Sequence, residues 1–123
     1  MQQNHIDVAV IEQTPQRLEN MVASHLLKYA HYAQDTKGED LNLYYFRDSD
    51  GREVDFILAD RKNPIMAVEV KWADEDIHKP LLYFKRKFPG VDAWQVHATG
   101  RKEYTNSEGI RVAPAQKLFE KLV

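Results

Sequence analysis

The stretch from Ile65 to Trp72 constrains this chain more than any other. Its centre, Ala67-Val68-Glu69-Val70, is apolar on both alternating faces apart from one glutamate. That density belongs to an interior strand covered on both sides, not to a sheet edge. A helix signal follows. Asp74, Glu75 and Asp76 lead into Ile77, Leu81, Phe84 and Phe88 at helical spacing, and Pro89-Gly90 stops the run. The helix begins near Asp76, or only at Lys79 if Pro80 sits in its first turn. Ala93 to Thr99 then forms another strand. A helical crossover between two strands favours parallel pairing, because a tight turn can join only antiparallel neighbours.

The segments before this unit are joined differently. Thr14 followed by Pro15 is a helix start: a capping hydroxyl, then a proline whose missing N–H is not needed in the first turn. Leu18, Met21, Val22, His25, Leu26 and Tyr29 continue one apolar stripe, which predicts a helix from about 15 to 33. The polar stretch Gln34 to Asp40 ends it. Leu41 to Arg47 and Arg52 to Ala59 suit two strands joined by the turn Asp48-Ser49-Asp50-Gly51. Asp60 to Pro64 is a second turn. Ile6, Val8 and Val10 suit a short strand or a packed arm. Ile110 to Val112 suits a short strand, and Pro114 opens a last helix with Leu118, Phe119 and Leu122 facing inward. The expectation is one α/β domain over 1–123, its core at about 15–122. A central mixed sheet is flanked by helices.

Composition narrows the chemistry. The 123 residues include no cysteine, which excludes disulfides, thiolate metal sites and a cysteine nucleophile. Met1 to Asp7 lacks the basic start and apolar run of a signal peptide, and no run approaches the ~20 apolar residues of a spanning helix. A cytoplasmic protein without a membrane segment is expected. The net charge of −2 means that any nucleic-acid role needs basic residues gathered on one face.

Three charged residues sit where strands should be apolar, a costly place for charge. Asp55 lies between Val54 and Phe56, and Glu69 and Lys71 flank Val70. Alternation puts Glu69 and Lys71 on one face and Val68 and Val70 on the other. The hairpin can bring Asp55 beside Glu69, and two close carboxylates repel unless a cation or proton intervenes. Mg²⁺ suits such a pair, with the Val70 carbonyl as a third oxygen. Lys71 would reach the same rim and stabilise charge on a phosphate. Patterning leaves a second reading open, in which Glu69 and Lys71 form a simple ion pair on a solvated strand. Glu19 lies beside the apolar stripe of the first helix, which could aim it at the same place.

These residues also form a pattern. An acid on one strand, Asp55, followed by acid-x-Lys on the next, Glu69-Val70-Lys71, resembles the signature of the PD-(D/E)XK, or restriction-endonuclease-like, superfamily. The similarity is closer to the nuclease-like domain at the C-terminus of bacterial and archaeal P-loop ATPases. It runs through Arg17-Leu18-Glu19, Tyr44-Tyr45-Phe46-Arg47, Glu53-Val54-Asp55-Phe56, Glu69-Val70-Lys71 and Gly109-Ile110-Arg111-Val112, spanning about residues 15 to 122. The resemblance implies an αβββαβ core, with Asp55 and Glu69 as ligands of Mg²⁺ or Mn²⁺, Lys71 as the catalytic lysine and Glu19 as an auxiliary acid. It implies hydrolysis of DNA phosphodiester bonds, with DNA, or a branched or broken form of it, as the substrate class, a homodimer, and association with a P-loop ATPase. The alternative is an inactive nuclease-like module for DNA binding or protein interaction. The chain departs from the pattern twice. It carries no Gly-x-x-x-x-Gly-Lys run, and Val54, not proline, precedes Asp55.

Other residues carry weaker expectations. Lys85-Arg86-Lys87 and Arg101-Lys102 are phosphate contacts or ordinary solvated charges. Of Tyr44, Tyr45 and Phe46, two should pack inward, and any left exposed could stack a base. His25 reads as a core or boundary residue. His78, close to Lys71 in sequence, could visit the site.

Overall fold

A computed structural model describes residues 15–123. The short strand expected around Ile6 to Val10 and the Thr14 cap lie outside them. The elements are α1 (Pro15–Lys37), β1 (Leu41–Arg47), β2 (Glu53–Asp60), β3 (Asn63–Lys71), α2 (Lys79–Lys87), β4 (Asp92–His97), β5 (Tyr104–Thr105), β6 (Arg111–Pro114) and α3 (Ala115–Leu122). The strands form one mixed sheet in the order β1-β2-β3-β4-β6-β5. β1, β2 and β3 are antiparallel neighbours, β3 runs parallel to β4, and β4 runs parallel to β6. The crossover through α2 thus joins parallel strands, as the sequence predicts.

Each face of the sheet has its own core. Met66, Val68 and Val70 of β3 pack with Leu58, Trp94 and Val96 beneath α1 and α3. Ala67 packs with Ile57, Ala93 and Ile110 against Leu81 and Phe84 of α2. This double coverage explains the apolar density of β3, and each fully buried Leu or Phe contributes about 1.5–3 kcal/mol. Leu18, Val22 and Leu26 are buried on α1, but Met21, expected on that stripe, is exposed.

Several boundaries differ from the sequence reading. α1 runs on to Lys37, since Gln34 to Lys37 hold no breaker and Thr36 Oγ1 donates back to Tyr32 O at 2.6 Å. The second hairpin turn is shorter than expected. Asn63 and Pro64 are already in β3, pairing with Asp60 and Ala59. A register shift at Leu58/Ala59 accommodates the proline, which cannot donate to a ladder. Arg61 closes this tight turn at a φ of 60°. In the first hairpin turn Gly51 takes a φ of 82°, the conformation for which glycine is suited. Among the described residues no helix is long and apolar enough to cross a membrane.

Candidate functional site

Two irregularities in β2 and β3 build the site. Tyr44 pairs with Ile57 and Phe46 with Val54, so Tyr45 alone faces Asp55 and Phe56. Two residues against one is a β-bulge. It breaks the strand's alternation: Val54 packs with the α2-side core and Phe56 against the α1-side core. The second irregularity lies beside the first. The β2–β3 ladder ends at Phe56–Val68, one step before Asp55 and Glu69 would pair.

Side chains take over where the ladder stops. The Val70 N–H donates to Asp55 Oδ2 at 2.9 Å, and the Asp55 N–H donates to Glu69 Oε1 at 3.2 Å. The N–H and C=O of one strand residue face the same neighbour, so the Val70 carbonyl faces this gap too. Lys71 Nζ lies 3.5 Å from Glu69 Oε2 and 3.9 Å from Glu75 Oε1. Asp55, Glu69, Val70 and Lys71 are thus linked by contacts between β2 and β3 just past the end of their ladder.

His78, just before α2, closes the gap from above. Its Nε2 lies 2.8 Å from Glu53 O and 3.5 Å from Glu69 Oε2. A carbonyl oxygen only accepts, so Nε2 carries the hydrogen and Nδ1 accepts from Lys71 Nζ at 3.5 Å. Gln95, buried on β4 and paired with Glu69, fixes the approach of this segment. Its Oε1 accepts the His78 N–H at 2.8 Å and its Nε2 donates to Asp76 O at 3.1 Å. The sequence reading overlooked Gln95. The signal was an amide inside the apolar run Ala93-Trp94-Gln95-Val96.

Electrostatics mark the same point. Glu69 is only 5% exposed. Burial, reinforced by the charge of Asp55, pushes its carboxyl from an ordinary 4.5 up to about 7, against the opposing pull of the Asp55 amide and Lys71. Burial also raises Asp55, partly offset by the Val70 N–H and Lys71. Glu19 on α1 is raised by burial and by Asp55. Glu19 and Asp55 line a hollow of about 400 Å³ together with Leu43, Phe56 and the two tyrosines of β1.

The donor set can be tested against a divalent cation. Among the described residues no group of three or more His, Asp or Glu side chains is arranged to hold a metal. The gap instead offers two carboxylates and one main-chain carbonyl. Each carboxylate uses one oxygen on a main-chain N–H and has a second. Asp55 Oδ1 is left over, Glu69 Oε2 faces Lys71 Nζ and His78 Nε2 at 3.5 Å, and at most one excess negative charge remains once the Lys71 ammonium is counted; hard oxygens and few protein ligands suit Mg²⁺, which keeps several of its waters.

The other candidate residues are placed elsewhere. Lys85 Nζ donates to Pro89 O and Val91 O at 2.8 and 2.6 Å, and Arg86 grips Glu108 with both ends of its guanidinium at 2.7 and 2.8 Å. The Arg101 and Lys102 N–H groups hold the Asp74 carboxylate. Tyr44 and Tyr45 are both exposed and only Phe46 packs inward, against Phe84, because β1 is an edge strand with a bulge opposite it. His25 stacks on Phe119 with ring centroids 3.9 Å apart, a boundary role.

Neither curated proteins nor solved structures match the chain. The profile of one family, described as a domain of unknown function (DUF4143), matches residues 16–118 and so covers α1 through the first half of α3. The chain therefore belongs to the DUF4143 family.

Proposed function

We propose that this domain is a metal-dependent DNA phosphodiesterase with a restriction-endonuclease-like arrangement of its core. One observation carries the reading. A buried glutamate and an aspartate share the gap between two strands, and a lysine ammonium stands 3.5 Å from the glutamate. An isolated ion pair needs no second acid there, and a second acid raises the cost of burying the first.

Asp55 and Glu69, with the Val70 carbonyl, would hold Mg²⁺ or Mn²⁺. When bound, the ion supplies Lewis-acid polarisation of the phosphate and a water of lowered pKa. Lys71 stabilises negative charge on the phosphate oxygens and orients the attacking water. His78 and Gln95 keep Lys71 and Glu69 in place. Glu19, beside Asp55, serves as an auxiliary acid. The same resemblance gives DNA as substrate, with a homodimer and a P-loop ATPase as partners.

Purified protein incubated with circular and branched DNA plus Mg²⁺ or Mn²⁺ tests this. Cleavage is expected, and it should vanish in Glu69→Ala and in Lys71→Ala. Cleavage that persists in both sinks the mechanism.

A second reading has its own observation. Asp55 and Glu69 satisfy main-chain N–H groups that the splayed strands leave over, a structural task that needs no ion. On that reading the domain is an inactive module for DNA or protein binding. Mn²⁺ titration calorimetry separates the two: binding by the native chain and none by Asp55→Ala favours the enzyme.

A further inference from the structure

We infer that the β1 edge binds an unpaired polynucleotide strand and leads it to the carboxylate gap. This rests on the phosphodiesterase reading and names the form of its substrate.

Two hollows meet at this edge. One, on the α1 face, contains Glu19 and Asp55. The other, about 320 Å³, lies on the α2 face and is lined by Phe46, Phe84 and Phe88 together with Arg61, Lys62 and Lys87. Tyr44 and Tyr45 line both. They are 47% and 55% exposed, which leaves two rings on the path between the hollows. Arg61, Lys62 and Lys87 are exposed, and among the described residues none has a carboxylate within ion-pair distance.

The chemistry of this edge selects its occupant. Adjacent exposed rings are platforms for bases, whose π-faces are available only when the strand is unpaired. Three cations with no carboxylate partner, one of them (Lys87) 5.9 Å from the Tyr83 and Phe88 ring centroids, suit a phosphate backbone. The chain is acidic overall, so these cations beside the aromatic hollow provide the local positive charge that net charge does not. A duplex would hide its base faces and make no use of the tyrosines.

The test is fluorescence anisotropy in EDTA, which stops cleavage, with labelled oligo(dT) and oligo(U) of about 15 nucleotides, near the upper end of single-strand site sizes. A duplex of the same length and an acidic, aromatic peptide serve as competing ligands. Both single strands test the shared chemistry, and their relative affinity identifies the preferred sugar. Tyr44→Ala with Tyr45→Ala should weaken single-strand binding by ~10-fold or more. Tyr44→Phe with Tyr45→Phe, which keeps the rings, should bind like the native chain. Lys62→Ala and Lys87→Ala should each lower the salt slope by roughly 0.7. If the native chain binds single strands through the tyrosines but cuts none of the DNA substrates with Mg²⁺ or Mn²⁺, this inference stands and the enzymatic one falls. Three results overturn it: a chain that cleaves duplex DNA but has the same affinity with and without the tyrosines, tighter binding of duplex than of either single strand, or binding of the peptide with neither oligonucleotide.

Discussion

Replacing Glu69 with glutamine should stabilise the metal-free protein above neutral pH while destroying the proposed site. The amide keeps an oxygen for the Asp55 N–H, so the contact across the gap survives. What disappears is the ionisation. Glu69 titrates near 7 in the folded chain against an ordinary 4.5. At about 1.36 kcal/mol for each pH unit, ionising it in the fold costs up to ~3 kcal/mol. The sign follows from proton binding. Between 4.5 and 7 the native state retains a proton that the unfolded state has lost, so stability falls as pH rises through that window. Above 7 the whole penalty is present. The pull of Lys71 is already contained in that value, but the glutamine NH2 would face the Lys71 and His78 donors, so the net gain at pH 8 should be ~1–3 kcal/mol, shrinking toward zero at pH 5. Urea unfolding of both proteins at the two pH values measures it. Saturating Mn²⁺ at pH 8 should raise the native chain's stability and leave the variant's unchanged, because a cation between the carboxylates removes their repulsion. A variant that is less stable at pH 8, or a difference that does not change with pH, would refute the electrostatic account of the gap.

Three further outcomes follow from other contacts. Gly100→Ala should lose ~1–3 kcal/mol in urea unfolding, because a Cβ there would run into the Asp74 carboxylate and stand 2.9 Å from the Asp74 nitrogen, and the latter is backbone that cannot swing away. Gln95→Leu should lose a similar ~1–3 kcal/mol, since it leaves the His78 N–H and Asp76 O without their buried partner, and it should weaken Mn²⁺ binding as His78 and Lys71 drift. Asp74→Asn should flatten the acid side of the stability profile. The Arg101 and Lys102 N–H groups hold the Asp74 carboxyl below its ordinary value, so its contribution is present above that value and fades as pH falls through the folded one.

The core and the order of elements were legible because they rest on local pattern. Ala67-Val68-Glu69-Val70 had to be covered on both faces, and α1, α3 and α2 cover it. The alternation around Val70 already put Glu69 and Lys71 on one side, and the ion pair at 3.5 Å agrees. The inward packing expected of two residues among Tyr44, Tyr45 and Phe46 failed at the tyrosines, because alternation presumes an unbroken ladder. In the basic run Lys85-Arg86-Lys87 the first two members meet nearby carbonyls and Glu108, partners that a charge run does not reveal.

The sequence by itself determined which residues are apolar, at what period, and that three charges interrupt them. That sufficed for β1 to β4 and β6, the parallel crossover and the suspicion attached to Asp55, Glu69 and Lys71, but not for β5, which lies in the polar stretch 100–108 read as a loop. Only the tertiary structure decided how these charges meet. Beside the bulge opposite Tyr45 the β2–β3 ladder ends at Phe56–Val68, and Asp55, Glu69 and His78 satisfy main-chain groups there. Bulges and splayed strands arise from contacts between segments far apart in the chain, so no local period encodes them.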